Sequence, residues 1–366
     1  MGQTIIGVGD AKAVKKYSAF LAVDAPRKSY WNRKLSSGSA DESTPVTIIK
    51  DMEKDAGDYA TFDLNMQLGM KPVEGDDVLE GKEEELVFYS DGLYIDQMRG
   101  GVNGGGRMTR KRTVHNLREI ARARQSDWWA RVFDELHFMY ASGARGVNTD
   151  YIFGTSYTGF AGNSLSAPDS SHILYANSKT KGTIVAADDK MDLGAVDDLV
   201  TAAEMMGGGT QGTPQIQPIK INGEDHYVLL MNPYQERDMR TNTSTGQWLD
   251  IRKALATFEG ANTPICKGGL GMYNNVIMHK HKGCIRFSDY GSGGNVAACR
   301  ALFLGEQALA FAWGNSGKGM RFQWHEETRD NGNVMIISTH CIFGIKKVVF
   351  NGLDYGVIAY DSAAAA

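Results

Sequence analysis

The stretch KPVEGDDVLEGKEEELVFY, residues 71–89, carries seven acidic side chains and two lysines. It joins two runs in which apolar and polar residues alternate, 59–70 and 85–98. Alternation of this kind is typical of a β-strand with one dry face. The two runs therefore predict a hairpin whose arms are longer than the usual five or six residues.

The first run gives the predicted hairpin a single apolar face. That face consists of Phe62, Leu64, Met66, Leu68 and Met70. A two-stranded ribbon is marginally stable by itself in water. Either the body of the same subunit or a neighbouring molecule must therefore cover it.

The acidic residues between the two runs place a concentration of negative charge at the predicted hairpin tip. They are Glu74, Asp76, Asp77, Glu80, Glu83, Glu84 and Glu85. Such a concentration of one charge favours a partner surface of the opposite charge.

Five glycines follow the hairpin in RGGVNGGGR, residues 99–107, and they are candidates for a hinge. They are Gly100, Gly101, Gly104, Gly105 and Gly106. Glycine has the widest choice of backbone conformations, so this segment predicts a flexible joint.

A helical pattern runs from about residue 108 to 142, with Gly143 as the expected C-cap. A helix of that span would be about 50 Å long. Its second half, 128–140, is apolar, whereas its first half is basic. The candidate interface residues on the basic half are Arg107, Arg110, Lys111, Arg112 and Arg118. Three interpretations remain open: phosphate binding, a solvated helix face, or a protein partner of opposite charge such as another copy of this chain.

Residues 1–55 resemble an arm, with a short helix candidate at 11–23 and little amphipathic pattern. Phe20, Tyr30 and Trp31 are costly side chains to leave in water. The arm therefore needs a surface to lie against.

The remainder of the chain predicts an α+β fold. Two helices are expected at 193–206 and 246–258, and Asn222-Gly223 marks a hairpin turn. Residues 333–360 alternate and turn like a strand-rich segment.

Composition narrows the function only a little. The chain has 366 residues, a formal net charge of −4 and four cysteines without CxxC pairing. These features favour a soluble protein of a reducing compartment and disfavour a generally basic nucleic-acid-binding surface. No apolar run approaches the roughly 20 residues that span a bilayer, so no membrane partner is expected.

No motif supplies a catalytic site. The glycine-rich stretches lack the residues that nucleotide-binding loops require, and no nucleophile is paired with a base. His279, His281 and Cys284 have a spacing that could begin a zinc site, but a tetrahedral site needs a fourth ligand, and His340-Cys341 is the only candidate for a second cluster. The sequence thus predicts no enzyme, no cofactor and no metal.

Seven blocks of sequence together resemble the major capsid proteins of tailed bacteriophages, in particular the N-four-like major capsid family. The blocks are GDYATFDLNMQL (57–68), VEGDDVLEGKEEELVFYSD (73–91), GLYIDQMR (92–99), NLREIARARQSDWWA (116–130), NTPICKGGLGMYNNVIMHKH (262–281), LFLGEQALAFAWG (302–314) and DNGNVMIISTHCIFGIKKVVFNGLDYGVIAYD (330–361).

The resemblance implies an HK97-type capsid fold with five parts. They are an N-terminal arm (1–55), an extended hairpin loop with glycine hinge (56–104), a peripheral domain with the spine helix (105–190), an axial domain (191–315) and the return strands of the peripheral domain (316–366).

The same resemblance implies a structural protein that assembles with other copies of itself, as hexamers and pentamers, into an icosahedral shell around double-stranded DNA. The shell would be built in the host cytoplasm and become part of the virion. Portal and decoration proteins are expected partners, and scaffolding would come from a separate protein, because no extra segment precedes the arm.

Two other functions remain open at this point: an encapsulin-like nanocompartment shell of the same fold, and a cytosolic α/β enzyme. On the capsid interpretation, the arm and the hairpin are expected to close their dry surfaces only against neighbouring copies, with the acidic tip on a basic helix start.

Overall fold

The computed structural model describes residues 21, 23–36, 43–53, 57–66, 68–207, 214–221, 223–242, 251, 253, 265–315 and 320–364. Within these ranges the helices are α1 (Tyr30–Lys34), α2 (Arg107–Arg112), α3 (Leu117–Ser142), α4 (Leu193–Met205) and α5 (Pro233–Asn242), with 3-10 turns at Asp51–Glu53, Ala176–Ser178 and Lys181–Thr183. The strands are β1 (Val46–Ile49), β2 (Tyr59–Asn65), β3 (Phe88–Tyr94), β4 (Asp96–Asn103), β5 (Gly159–Phe160), β6 (Asn163–Ser164), β7 (Ile173–Tyr175), β8 (Ile219–Ile221), β9 (Glu224–Met231), β10 (Gly271–Tyr273), β11 (Val276–Lys280), β12 (Arg286–Tyr290), β13 (Val296–Leu304), β14 (Leu309–Trp313), β15 (Phe322–Arg329), β16 (Val334–Lys347), β17 (Val349–Phe350), β18 (Leu353–Asp354) and β19 (Val357–Ala363).

Two sheets organise these strands, and the fold is α+β as expected. The five-stranded sheet has the order β1-β14-β16-β15, with β4 also paired to β16. The eight-stranded sheet has the order β10-β11-β9-β13-β19-β7, with β12 on β13 and β8 on β9. The division at residue 315 stays a prediction, but hydrogen bonding crosses it twice. Strand β14 pairs with β16, and β19 returns to β13.

The core is built where the apolar half of α3 packs on the five-stranded sheet. Phe133 on α3 lies 5.2 Å from Phe343 and 5.6 Å from Trp313, measured between ring centroids. Trp129, one turn earlier, lies 5.4 Å from Phe322. All five rings are buried, and edge-to-face aromatic pairs add to the free energy that area burial provides.

The single helix expected from about residue 108 is wrong, because the chain breaks between α2 and α3. Thr113 is extended at ψ 140°, and its Oγ1 accepts the backbone N–H of His115. Asn116 then caps α3 by accepting the N–H of Arg118. Threonine and asparagine side chains that satisfy local amides compete with helix continuation, which leaves α3 with 26 residues and a length of about 39 Å. The expected C-cap at Gly143 is confirmed, with φ 67°.

The arm is a clear departure from expectation, because its described part packs on its own subunit. Trp31 and Leu35 are completely buried in the main core, and β1 pairs in parallel with β14 at the sheet edge. The anchor is Asp134 on α3. Its carboxylate accepts hydrogen bonds from Ser29 Oγ at 2.7 Å, the N–H of Tyr30 at 3.0 Å and the N–H of Trp31 at 3.1 Å. The helix candidate at 11–23 lies almost entirely outside the described residues.

The base of the hairpin also packs on its own subunit. Strands β2 and β3 pair from Tyr59↔Tyr94 to Asn65↔Phe88, and Phe62 lies 6.0 Å from the buried ring of Phe350. Asp91 forms an ion pair with Lys346, which fixes the ribbon to β16. The expectation that arm and ribbon close only against neighbouring copies is therefore wrong for the described part of the arm and for the ribbon base.

The predicted strand to residue 70 is also too long. Regular pairing ends at Asn65 and Phe88, so each arm of the ribbon has seven residues. Beyond it, Leu68 and Met70 are about half exposed. The uncovered part of the hairpin is its tip.

Of the other local predictions, three are confirmed and one lies almost entirely outside the described residues. The helix at 193–206 is confirmed as α4, the turn at residue 223 joins β8 to β9, and the C-terminal segment is rich in strands. The helix expected at 246–258 lies outside the described residues, apart from the helical positions 251 and 253.

Replacing Trp31 tests whether the arm is part of the subunit's own core. Trp31→Ala should lower the free energy of unfolding of the unassembled subunit by about 3–5 kcal/mol, because the substitution removes a fully buried ring and leaves a cavity. Urea denaturation measures this change. Val23→Ala on the same arm, where Val23 is 47% exposed, should leave stability almost unchanged; equal effects of the two variants would show that the arm does not dock in the free subunit.

Candidate subunit interface

The described residues of the hairpin tip, 66 and 68–87, form a loop closed by turns and do not continue the ribbon. Backbone bonds from Asp77 N–H to Glu74 O and from Lys82 N–H to Leu79 O close two turns. Gly75 and Gly81 have φ of 62° and 82° in these turns, a region that favours glycine.

Two of the seven acids stabilise this loop from within. One Glu84 oxygen accepts the N–H groups of Gly69 at 2.8 Å and Met70 at 2.7 Å. Glu83 accepts the N–H of Gly81 at 2.6 Å. These two residues therefore shape the tip, a role that charge counting cannot distinguish from an interface role.

The other five acids of the tip are exposed: Glu74, Asp76, Asp77, Glu80 and Glu85. The tip also exposes apolar side chains, with Val78 at 66%, Leu79 at 52% and Leu86 at 58%. Charge and uncovered apolar surface thus occur together on one protruding loop, which is the composition expected of a docking element.

The basic candidates lie at the start of the spine, on α2 and on the first turn of α3. Helix α2 buries none of its residues and is attached to the β15–β16 turn through Asn333. Asn333 Oδ1 accepts the N–H of Arg107 at 3.0 Å, and its backbone carbonyl accepts Arg110 Nη2 at 3.2 Å.

Arg118 serves the subunit's own sheet. Its Nη2 lies 2.8 Å from Glu326 Oε2, and the other carboxylate oxygen of Glu326 accepts Trp324 Nε1–H at 2.9 Å. Glu326 is buried, so the guanidinium pairs with a carboxylate that would otherwise be costly to bury. Arg118 is therefore partly neutralised, whereas Lys111 and Arg112 are exposed and point their charge outward.

Three arginines nevertheless converge on one cavity. Arg107, Arg110 and Arg118 line a groove of about 420 Å³ together with His115 and Leu117. Such a groove suits an anionic group. The sequence does not predict this groove, because the groove depends on the break between α2 and α3.

The five glycines of the expected hinge occupy two different structures. Gly100 and Gly101 lie in β4, opposite Thr339 and Ser338 of β16, and a Cβ on Gly100 would come within 2.6 Å of the Trp128 ring. Gly100 is thus required for close packing, and the expectation of a loose joint is wrong for these two positions. Gly104, Gly105 and Gly106 form the connection to α2, where Gly105 has φ 70°.

A cluster of histidines behind the arm was missed by sequence reasoning. The ring of His281 lies 4.7 Å from Tyr30, that of His279 lies 6.2 Å from Tyr30, and that of His137 stacks on Trp31 at 5.4 Å. Burial lowers the pKa of each imidazole from 6.5 to about 4. The arm is therefore docked on three uncharged histidines, and only the pairing of His279 with His281 was visible in the sequence.

The idea of a zinc site at His279, His281 and Cys284 gains no support. His279 Nε2–H donates to the carbonyl of Ile265 at 2.6 Å, and burial raises the pKa of the Cys284 thiol. Within the described ranges, no three histidine, cysteine or carboxylate side chains are grouped as a metal would need. Across the same ranges, no helix combines the length and apolar character of a membrane span.

Comparisons with known proteins agree on one family. A family model described as phage capsid protein matches residues 5–366. The major capsid protein of Pseudomonas phage KPP25 is 25% identical over 345 residues, which cover 87% of each protein. The capsid of Ralstonia phage GP4 is 44% identical, with 100% of this chain and 99% of that chain covered and a TM-score of 0.86. The capsid asymmetric unit of cyanophage Pam1, at 20% identity, shares the fold with a TM-score of 0.70 over 93% of both chains.

The histidine cluster makes arm docking sensitive to acid. Because the imidazole pKa values are lowered on docking, protons bind more tightly when the arm is released, so docking is fully stable above pH 6.5 and loses stability as the pH falls toward 4. Burial raises the pKa of Asp134, which opposes this trend by a single group. Limited proteolysis of the arm in the unassembled subunit should therefore accelerate between pH 6.5 and pH 4.

The matched variants for this test are His281→Phe and His115→Phe. The first keeps an aromatic ring against Tyr30 but removes one titrating group, so it should flatten the pH dependence. The second changes an exposed histidine and should leave the pH dependence as it was. An unchanged slope in His281→Phe would contradict the role of the cluster.

Proposed function

The chain belongs to the phage capsid protein family and is a structural protein of the virion capsid, and we propose that it assembles by placing its acidic hairpin tip on the basic segment of an adjacent copy. The basic segment is Arg107, Arg110, Lys111, Arg112 and Arg118. The HK97-type fold expected from the sequence is confirmed by the capsid structures that share it. The encapsulin-like alternative is not favoured by this family membership.

At the level of the particle, the proposal is that hexamers and pentamers of this chain form an icosahedral shell that encloses double-stranded DNA. The likeness to the Ralstonia phage GP4 capsid, at 44% identity over the whole chain, supports it. A net charge of −4 suits a shell that encloses DNA without sequence-specific binding. Portal, scaffolding and decoration proteins are proposed partners of the shell.

The observation that carries the docking proposal is the separation of charge within one subunit. The tip exposes five acids, of which Asp77 lies 3.9 Å from Lys82 of the same loop. Cations of the spine pair with other acids of the subunit: Arg118 with Glu326, Arg122 with Asp24 and Arg124 with Asp127. Lys111 and Arg112 remain exposed. A neighbouring copy supplies both missing halves at once.

The free energies of ion pairs and of apolar burial indicate different roles for the two kinds of contact. An exposed ion pair contributes about 0–1 kcal/mol, so charge chiefly selects the partner and its register. Apolar burial at roughly 25 cal/mol per Å² would supply most of the free energy of association. The exposed Val78, Leu79 and Leu86 are the source of that burial on the tip.

A charge reversal tests the docking surface. Glu74→Lys, Asp76→Lys and Glu80→Lys together should strongly reduce the yield of shells while the subunit stays folded, because lysines would then face the cations of the adjacent copy. Electron microscopy and sedimentation measure the yield. Glu83 and Glu84 are left unchanged, since they hold the loop itself.

The control makes the same change in charge away from the tip, with Asp188→Lys, Glu204→Lys and Asp225→Lys at exposed positions. It should assemble normally. Adding Lys111→Glu and Arg112→Glu to the tip variant should restore part of the yield, because the attraction returns with opposite signs. Loss of assembly in the control as well, or no rescue, would reject this docking surface.

The hinge proposal now concerns Gly104, Gly105 and Gly106, between β4 and α2. A shell that changes shape when it fills needs segments that can rotate between rigid elements. Gly106 has φ −78°, which alanine accepts, so Gly106→Ala stiffens the connection once Asn333, whose Oδ1 would lie 3.2 Å from the added Cβ, shifts by a few tenths of an ångström.

Gly106→Ala should slow shell expansion about two- to five-fold, since alanine restricts the backbone by roughly 0.5–1 kcal/mol. Time-resolved sedimentation or gel mobility of the particles follows the expansion. Gly154→Ala, at a glycine with open space around it, is the matched control. Equal rates in the two variants would count against a hinge at 104–106.

A further inference from the structure

A second groove lies beside the basic segment, and its lining differs in character. It measures about 330 Å³ and is formed by Val102 and Asn103 of β4, Gly104, Gly105, Thr109 of α2, and Leu117, Ile120, Ala121 and Arg124 of α3. Ala121 is buried at its floor, and Ile120 is 42% exposed on its wall. The groove is thus apolar inside and carries a cation at its rim.

We propose that this apolar groove is the socket for the apex of the hairpin tip of an adjacent copy, with Leu79 as the inserted side chain and Val78 against the wall. The inference rests on the proposed tip docking and deepens it, because it assigns the contact that supplies the binding free energy. The occupant is a second copy of this chain.

The pattern of charge around the apex matches the pattern around the socket. Val78 and Leu79 are flanked by Asp76 and Asp77 on one side and by Glu80 on the other. The socket has Arg124 on its rim. Through Leu117 it adjoins the groove that holds Arg107, Arg110 and Arg118. An apolar pair between acids thus meets an apolar socket between bases.

Apolar burial outweighs charge at this contact. Burying a leucine side chain favours association by about 1.5–3 kcal/mol. A single exposed ion pair contributes about 0–1 kcal/mol. The apolar contact is therefore the larger contribution at each docking site.

The walls of the socket come from both sides of the glycine connection. Val102 precedes Gly104–Gly106, and Ile120 follows it on a different element. A side chain held between these walls fixes the spacing of β4 and α3. Docking of a neighbour would in this way limit rotation at the glycines, so subunit contact and shell shape are coupled through one socket.

Disulfide trapping tests the socket directly. The native cysteines Cys266, Cys284, Cys299 and Cys341 are free and buried, so new exposed cysteines react without background. Shells assembled from chains with Leu79→Cys and Ile120→Cys should, on mild oxidation, give a ladder of covalently linked subunits on non-reducing gels. The ladder should collapse with reductant.

The control replaces the socket cysteine by Val185→Cys, at a position that is 45% exposed and far from the socket in the chain, and keeps Leu79→Cys. It should give no ladder. Shells of the Leu79→Cys and Ile120→Cys chain that form normally but do not cross-link would overturn the socket, while tip docking by charge would stand. Failure of the charge-swap rescue described above would instead reject the docking itself.

A second pair of variants decides the matter if the cysteine chain does not assemble. Ile120→Asp should reduce shell yield about ten-fold or more, as expected when about 1.4 kcal/mol or more is lost per contact, and Ile120→Leu should assemble normally. Val185→Asp is the matched control for a new exposed carboxylate. Equal yields from Ile120→Asp and Val185→Asp would overturn the socket.

Discussion

The burial of the second half of α3 against the five-stranded sheet is the constraint on which the rest of the subunit depends. Trp129 and Phe133 lie among Phe311, Trp313, Phe322 and Phe343 with no exposed surface of consequence. Helix α2 buries none of its residues. The first turns of α3 bury Ala121 in a small cluster with Trp324, Met335 and Ile337, so this part of the spine stays near the surface. The arm uses the opposite side of the same anchored half, through Asp134. One set of aromatic contacts therefore positions both the proposed docking surface around α2 and the surface on which the arm packs.

Local patterns in the sequence predicted much of this architecture, because they report properties that a segment carries by itself. The alternation in 59–65, the turn at Gly223 and the C-cap at Gly143 all appeared where they were expected. The break at Thr113–Asn116 did not, since apolar periodicity registers where a helix is buried and α2 buries nothing.

Long-range contacts were beyond the reach of the sequence. Asp134 is one acid among many on a helix, and only the fold brings it 2.7 Å from Ser29, which lies 105 positions earlier. The same holds for the buried pair Arg300 and Asp361, joined at 2.6 Å. At the tip, the sequence shows that acids are concentrated, but it does not show that Glu83 and Glu84 accept backbone N–H groups of their own loop. Counting charges identifies a surface and does not distinguish its structural members from its outward-facing ones.

The described part of the arm and the base of the ribbon pack on their own subunit, and this packing affects how the shell can assemble. Trp31 of the arm and Phe350 beneath the ribbon are already buried within the subunit, so these contacts need no neighbouring copy. On the tip and around α2, the exposed groups are aliphatic side chains such as Val78 and Leu79, together with acids and a few bases. Each contact made from such groups is weak, in the range of a few kcal/mol. Weak contacts let a misplaced subunit leave before the lattice closes around it, whereas many of them acting together make the closed shell stable. In this chain, folding thus depends on strong contacts inside the subunit. Assembly depends on weak contacts that are repeated between subunits.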